Sequence, residues 1–287
     1  MKWYTCCNEK GIELGGECLI AAVHSCLQNT SLMPNLVYSG RDNSFIRYLS
    51  SLGVKVLFHR SSFEDAINAA SPRQGFNKDW AAGNFLRFDI PLLERDEDHV
   101  LYTDTDVVFC SDVTSLPMQG VIAAANEFLI DGVEVKERSD VFNAGVMVLN
   151  MPVLRQLHRD ILDLTIANDF ARGAAGWYDQ GILNGLFADH RVPLSPAMNW
   201  RPFAKTSLPP AIIHFHYLKP FEVWPLRKGS LAAQDLNDVQ RRLYAEAPEH
   251  YAWAFEIYQQ HLHTDAIRAL AESYPASPLS TLSGRRP

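Results

Sequence analysis

Apolar positions follow two alternating periods through the first hundred residues. Unbroken, largely apolar runs at 3–7, 35–39, 54–58 and 100–103 predict strands buried on both faces. Between the first two, residues 17–27 place Leu19, Ile20, Val23, Cys26 and Leu27 on one helical face. Asp42 predicts the cap of a helix running to about residue 52 and closed by Gly53. Residues 61–93 predict mostly helix, interrupted at Pro72 and Gly75. Strand and helix in this order predict a largely parallel sheet covered by helices.

The second half is less regular. Residues 121–125, 146–149 and 212–215 predict short strands. Asn150 is placed to cap a helix with Pro152 in its first turn and a stripe of Val153, Leu154, Leu157, Ile161 and Leu164. Residues 177–187 predict another helix. Gly229-Ser230 punctuates the chain, and 235–273 predict helix broken near Pro248. The Ser- and Pro-rich tail has the composition of a disordered segment. The expected organisation is a domain over 1–228, a helical extension over 229–273 and a disordered tail over 274–287.

Composition narrows the class. The chain has 287 residues, 47% of them hydrophobic, enough for a sizeable core. The net charge of −7 comes without a basic stripe, which argues against nucleic acid as a partner. No apolar run approaches the roughly 18 residues of a membrane span, and the first residues lack a secretory pattern. Five cysteines without metal-type spacing predict buried free thiols in a reducing compartment. The expectation is a cytoplasmic protein, with docking on a membrane surface left open.

Chemistry enters with Asp104-Thr105-Asp106, directly after the fourth apolar run. Two carboxylates one residue apart at a strand end suit a hard divalent ion such as Mg²⁺ or Mn²⁺, which takes phosphate oxygens as further ligands. A solvated turn or helix cap is the ordinary alternative. Four other segments stand out: Arg87 in Asn84-Phe85-Leu86-Arg87-Phe88, then Phe142-Asn143-Ala144-Gly145-Val146, a small-residue turn followed by a strand, then Asp179-Gln180 opening a helix, and finally His214-Phe215-His216-Tyr217-Leu218-Lys219-Pro220. Singly, each has an ordinary reading. Arg87 can pair with Asp89 or Glu94, Asp179 can cap a helix, and the histidines can be core residues.

Taken in order, these motifs resemble the family 8 glycosyltransferases over about residues 3–221. The Asp-x-Asp pair stands 38 residues before Phe142, and the Asp-Gln and His-Phe-His-x-x-Lys-Pro segments follow in sequence. The resemblance implies a GT-A fold: α/β, Rossmann-like, with a mostly parallel central sheet flanked by helices, here with a helical C-terminal extension. It implies retaining transfer of a sugar from a nucleotide-sugar donor, most often UDP-linked, to a hydroxyl of a glycan, lipid-linked saccharide or protein. It further implies Mn²⁺ (or Mg²⁺) held by Asp104, Asp106 and His214, with Thr105 between the acids. Lys219 would meet the diphosphate. Arg87, Asn143, Ala144 and Gly145 would line the donor site, with Asp179 and Gln180 near the anomeric carbon. Thr5, Cys6, Cys7 and Asn8 lie where the nucleoside is received. Retention can use a covalent intermediate or same-face attack.

Three positions depart from the family pattern. Cys6-Cys7-Asn8 replaces an acidic residue and a tyrosine, Tyr217 stands at a glycine position, and Phe221 replaces a tryptophan. A non-catalytic binding protein of the same fold is therefore one rival. A sugar-nucleotide pyrophosphorylase is another, but the glycines at Gly11–Gly16 lack the arginine of its phosphate loop.

Overall fold

A computed structural model describes residues 1–71, 76–113, 116–117, 119–131, 134–170, 178–204, 206–227 and 236–275. The expected breaks at Pro72 and Gly75, the helix start at Trp177, the Gly229-Ser230 punctuation and almost all of the tail lie outside these residues.

β1 (Lys2–Asn8) is an interior strand, third of the seven described in the main sheet. Its faces alternate, Trp3 and Cys7 joining one core and Tyr4 and Cys6 the other, so an unbroken apolar run is what the position requires. α1 (Glu9–Asn29) follows at once. It starts eight residues before the expected boundary, because Asn8 caps it by accepting from the Gly11 amide at 2.8 Å. Gly11 and Gly16 are thus helical, and the helix kinks at Gly15. Gly16 is needed for packing: a Cβ there would lie 2.6 Å from Leu270 Cδ1.

β2 (Met33–Ser39) and β3 (Lys55–Phe58) extend the sheet in parallel on one side of β1. Between them, α2 (Ser44–Ser51) is capped by Asn43 and not by Asp42, which instead pairs with Arg47. The stretch to residue 93 is helical in pieces: α3 (Glu64–Ala69), α4 (Lys78–Asn84), a 3-10 turn over Phe85–Asp89 and α5 (Ile90–Leu93). β4 (His99–Thr103) then pairs parallel to β1, and β5 (Val107–Phe109) leaves the main sheet.

β6 (Ile122–Asp131) and β7 (Glu134–Asn150) are much longer than expected, and β7 runs antiparallel to β4. Phe142–Gly145 sits inside β7, which corrects the reading of those residues as a turn. Small residues there serve close packing, as shown below. α6 (Met151–Ala167) is capped by Asn150, as its sequence predicts, but its buried face includes His158 and Thr165 while Leu164 is exposed. α7 (Tyr178–Phe187) and the short β8 (Val192–Pro193) follow, and β8 lies parallel to β6 at the sheet edge. β9 (Ile212–His214) pairs antiparallel with β5 in a separate two-stranded sheet.

The sheet order is β3-β2-β1-β4-β7-β6-β8, a mostly parallel sheet with β7 as the reversed member. After α8 (Pro220–Arg227) come α9 (Asp238–Glu246), α10 (Pro248–Gln260) and α11 (Thr264–Ser273). The predicted break at Pro248 is present, and a second one falls at residues 261–263. Ala266 and Leu270 of α11 are fully buried in the same core as Trp3, Leu19 and Leu36. All five cysteines are free, four buried and Cys110 half-buried. No described helix is long and apolar enough to cross a membrane.

Candidate active site

β4 ends at Thr103, and the chain bends through Asp104 and Thr105 before β5 begins just after Asp106. Val107 pairs with His214, so the β5–β9 register places the end of β9 beside the aspartates. Among the described residues, Asp104, Asp106 and His214 each present a ligand atom, and these atoms all lie within 4.8 Å of one another. His214 Nε2 is 3.6 Å from Asp106 Oδ1 and 3.9 Å from Asp104 Oδ2.

The imidazole is held in one orientation. Its Nδ1 meets Asn199 Oδ1 at 2.9 Å, which makes Nδ1 the donor and leaves the Nε2 lone pair facing the carboxylates. Asn199 Nδ2 donates in turn to Asn143 Oδ1 at 2.8 Å. Burial lowers the His214 pKa, only partly opposed by the two aspartates, and so favours the neutral, ligating form. The ring packs on Gly145, where a Cβ would come within 2.2 Å of His214 Cε1. Gly145 also accepts the Asp104 amide at 2.8 Å through its carbonyl. Two carboxylates and one oriented imidazole fit Mn²⁺, and they also tolerate Mg²⁺.

Lys219 forms an ion pair with Asp106 and donates to the Phe215 carbonyl at 3.2 Å. Burial works to raise the Asp106 pKa, but Lys219 and His214 outweigh it and hold the group at about 2. Burial likewise works against the Lys219 cation, and Asp106 more than compensates.

Arg87 does not pair with Asp89 or Glu94. Asp89 is taken by His59 and His158, and Glu94 by Lys2 and Tyr4. Arg87 instead bridges Asp104 and Asp179, each at 2.8 Å, and donates to the Ala144 carbonyl at 3.0 Å. The Tyr102 hydroxyl adds a bond of 2.9 Å to Asp104. Burial raises the Asp179 pKa to about 6, against the pull of Arg87. Gln180 Oε1 accepts from the Ala144 amide at 3.0 Å, fastening α7 to the Asn143–Gly145 segment.

The first-strand residues are placed differently. Thr5, Cys6 and Cys7 are buried in β1, and Thr5 Oγ1 has no hydrogen-bond partner among the described residues. Asn8, at the strand's carboxyl end, caps α1 and donates to the Asp79 carbonyl at 2.7 Å. Tyr217 adopts a left-handed backbone (φ 69°), a conformation that favours glycine. Its ring stacks on His216 with centroids 4.0 Å apart, and His216 stacks on His214 at 5.3 Å.

Sequence reasoning missed Asn199, Tyr102 and the buried pair of Glu127 and Arg201, which are joined at 2.8 Å and bonded to Asn143 through Glu127. Asn199 and Arg201 flank Trp200 in a segment without strong periodicity, and no local pattern marks a residue that acts by holding another. The Gly11–Gly16 segment, weighed as a phosphate loop, lies in α1 and has no loop geometry to offer.

A mostly parallel α/β sheet with an acidic pair and a histidine converging beyond its strand ends defines the GT-A class of glycosyltransferase fold. Residues 17–224 match the family model for glycosyl transferase family 8, and the chain belongs to that family. Solved structures share the fold at low identity. The glycosyltransferase GlyE of Streptococcus pneumoniae TIGR4 is 19% identical with a TM-score of 0.58; the match covers 100% of this chain and 65% of GlyE, so the chain spans just under two thirds of that protein. The galactosyltransferase LgtC, solved with donor and acceptor sugar analogs, is 15% identical at TM-score 0.58, over 88% of this chain and all of LgtC. Mouse xyloside xylosyltransferase 1 is 15% identical at TM-score 0.52, over 75% of this chain and 97% of that one. No curated protein matches the sequence significantly.

Proposed function

We propose that the protein transfers a sugar from a nucleotide-linked donor, a UDP-sugar by family resemblance, to a hydroxyl acceptor with retention of anomeric configuration. The convergence of Asp104, Asp106 and the oriented Nε2 of His214 carries this reading. These three residues would hold Mn²⁺ or Mg²⁺, which when bound supplies positive charge to the donor diphosphate. Lys219, kept cationic beside Asp106, is the protein's own charge for the departing diphosphate. Arg87 ties Asp104 to Asp179 and so fixes the metal side of the site relative to the sugar side. Asp179 lies toward the donor sugar, where an anion stabilises positive charge at the anomeric carbon, and Gln180 fastens the Asn143–Gly145 segment beside it. The nucleoside lies at the carboxyl end of β1, near Asn8, the side on which parallel sheets bind ligands.

The test is release of nucleoside diphosphate from a panel of nucleotide sugars with Mn²⁺ and no added acceptor. Release from one donor, abolished by EDTA, is the expected result. No release from any donor, with Mn²⁺–UDP binding intact, would favour a second reading, a nucleotide-sugar-binding protein without turnover. One observation supports that second reading: Tyr217 holds a glycine-like backbone at the position assigned to the diphosphate.

A further inference from the structure

Glu127, in β6, is buried at 7% exposure, and five groups converge on its carboxylate. Oε2 accepts from Asn143 Nδ2 at 2.8 Å and from Gln180 Nε2 at 3.0 Å. Oε1 accepts from Arg201 Nη1 at 2.8 Å and from the Phe128 amide at 2.8 Å, and His216 Nδ1 stands 3.9 Å away. Arg201 is also buried and donates to the Asn126 carbonyl at 2.7 Å.

On the reading that this site transfers a sugar, we propose that Glu127 is a positioning residue that sets the orientation of the Gln180 and Asn143 amides, and with them the Asn143–Gly145 segment assigned to the donor site. An ionised carboxylate only accepts hydrogen bonds, so both amides must turn their NH₂ groups toward it. Their oxygens are then aimed the other way. Gln180 Oε1 takes the Ala144 amide, while Asn143 Oδ1 takes the Gly145 amide at 3.0 Å and Asn199 Nδ2 at 2.8 Å. Asn199 orients His214. One buried charge thereby fixes both amides, while His214 keeps its own bond to Asn199. Both Glu127 oxygens already accept two donors each, which leaves Glu127 no free lone pair for attack on the sugar. The same saturation assigns it to holding and not to nucleophilic chemistry.

Glu127→Gln and Glu127→Asp test this in different ways. In Glu127→Gln, Arg201 and the Phe128 amide claim the new amide oxygen. The new NH₂ group then meets the NH₂ groups of Gln180 and Asn143, and one or both must turn. Glu127→Asp keeps the charge beside Arg201 and protects the fold, but one fewer methylene shortens its reach to the two amides. Kinetics with the active donor and Mn²⁺, together with calorimetric binding of Mn²⁺–UDP, separate the possibilities. Expected for both variants is a fall in kcat of roughly 10²-fold, the scale of a misplaced reacting group, with the Kd for Mn²⁺–UDP changed only a few-fold. Wild-type kcat in Glu127→Asp would overturn the proposal, since neutralising Arg201 would then be the whole role. A parallel loss of Mn²⁺–UDP affinity and kcat in both variants would overturn it too, as general support of the fold. A wild-type protein with no Mn²⁺-dependent turnover would overturn the transfer reading and this proposal together.

Discussion

Residue by residue, the site is built from groups whose neighbours leave them one orientation. Gly145 is the sharpest case, because the imidazole of His214 occupies the space a side chain would need. Gly145→Ala should push His214 off the aspartates and weaken Mn²⁺ binding by roughly 10- to 100-fold, on the scale of losses seen when a ligand's support is removed. Titration calorimetry with Mn²⁺ and UDP checks this, and wild-type affinity would mean that His214 is not a ligand. Asp179 is held by Arg87 and is assigned here to the donor sugar. Asp179→Asn should cut kcat by roughly 10²-fold while leaving Mn²⁺–UDP affinity within a few-fold of wild type, because the change does not touch the metal ligands. Equal losses in both would place Asp179 with the nucleotide instead. Motif order singled out Asp104, Asp106, His214, Asn143, Asp179 and Lys219, and the fold brings them together through the contacts described above. Asn199 and Glu127 were not, because their work is defined only by what they contact across the fold.

At the scale of elements, apolar runs located β1, β2 and β4 well, since strands buried on both faces need no alternation to be noticed. Glycines misled in two places. In α1 they fell outside the expected helix, which began at residue 17, yet Gly16 admits Leu270 and only Gly15 departs from helical geometry. In β7 they suggested a turn, yet the segment is a strand packed beneath His214. α1 carries a further consequence at Glu17, a buried carboxyl whose pKa burial raises from 4.5 to about 7. Between those two values the native state keeps a proton that the unfolded chain has released. Stability attributable to this group therefore falls as pH rises through that window, by on the order of 3 kcal/mol in all. Glu17→Gln should raise the melting temperature at pH 8 and change it little near pH 4.5. An equal shift at both values would show that Glu17 ionises without cost.

For the whole molecule, the C-terminal helices matter more than the label of an extension suggests. α11 packs on α1 and α2, with Leu270 against Gly16, Ser273 bonded to Ser44 and Tyr274 to Tyr38. Leu270→Ala should destabilise the protein by about 2–5 kcal/mol, as for other fully buried leucines, and shift one cooperative transition. Denaturant unfolding checks this, and two separated transitions would instead mark the helices as an independent unit. By itself, the sequence determined the α/β class, the GT-A expectation, and the order and chemical type of the groups on Asp104, Asp106, His214 and Lys219. Those properties rest on local periodicity and on motifs a few residues long. Only the tertiary structure decided that β5 and β9 lie side by side, that Arg87 joins Asp104 to Asp179, and that Glu127 gathers Asn143, Gln180 and Arg201. Such contacts join residues tens to more than a hundred positions apart, and a buried charge or a closely packed glycine acquires its meaning only from the groups the folded chain brings against it.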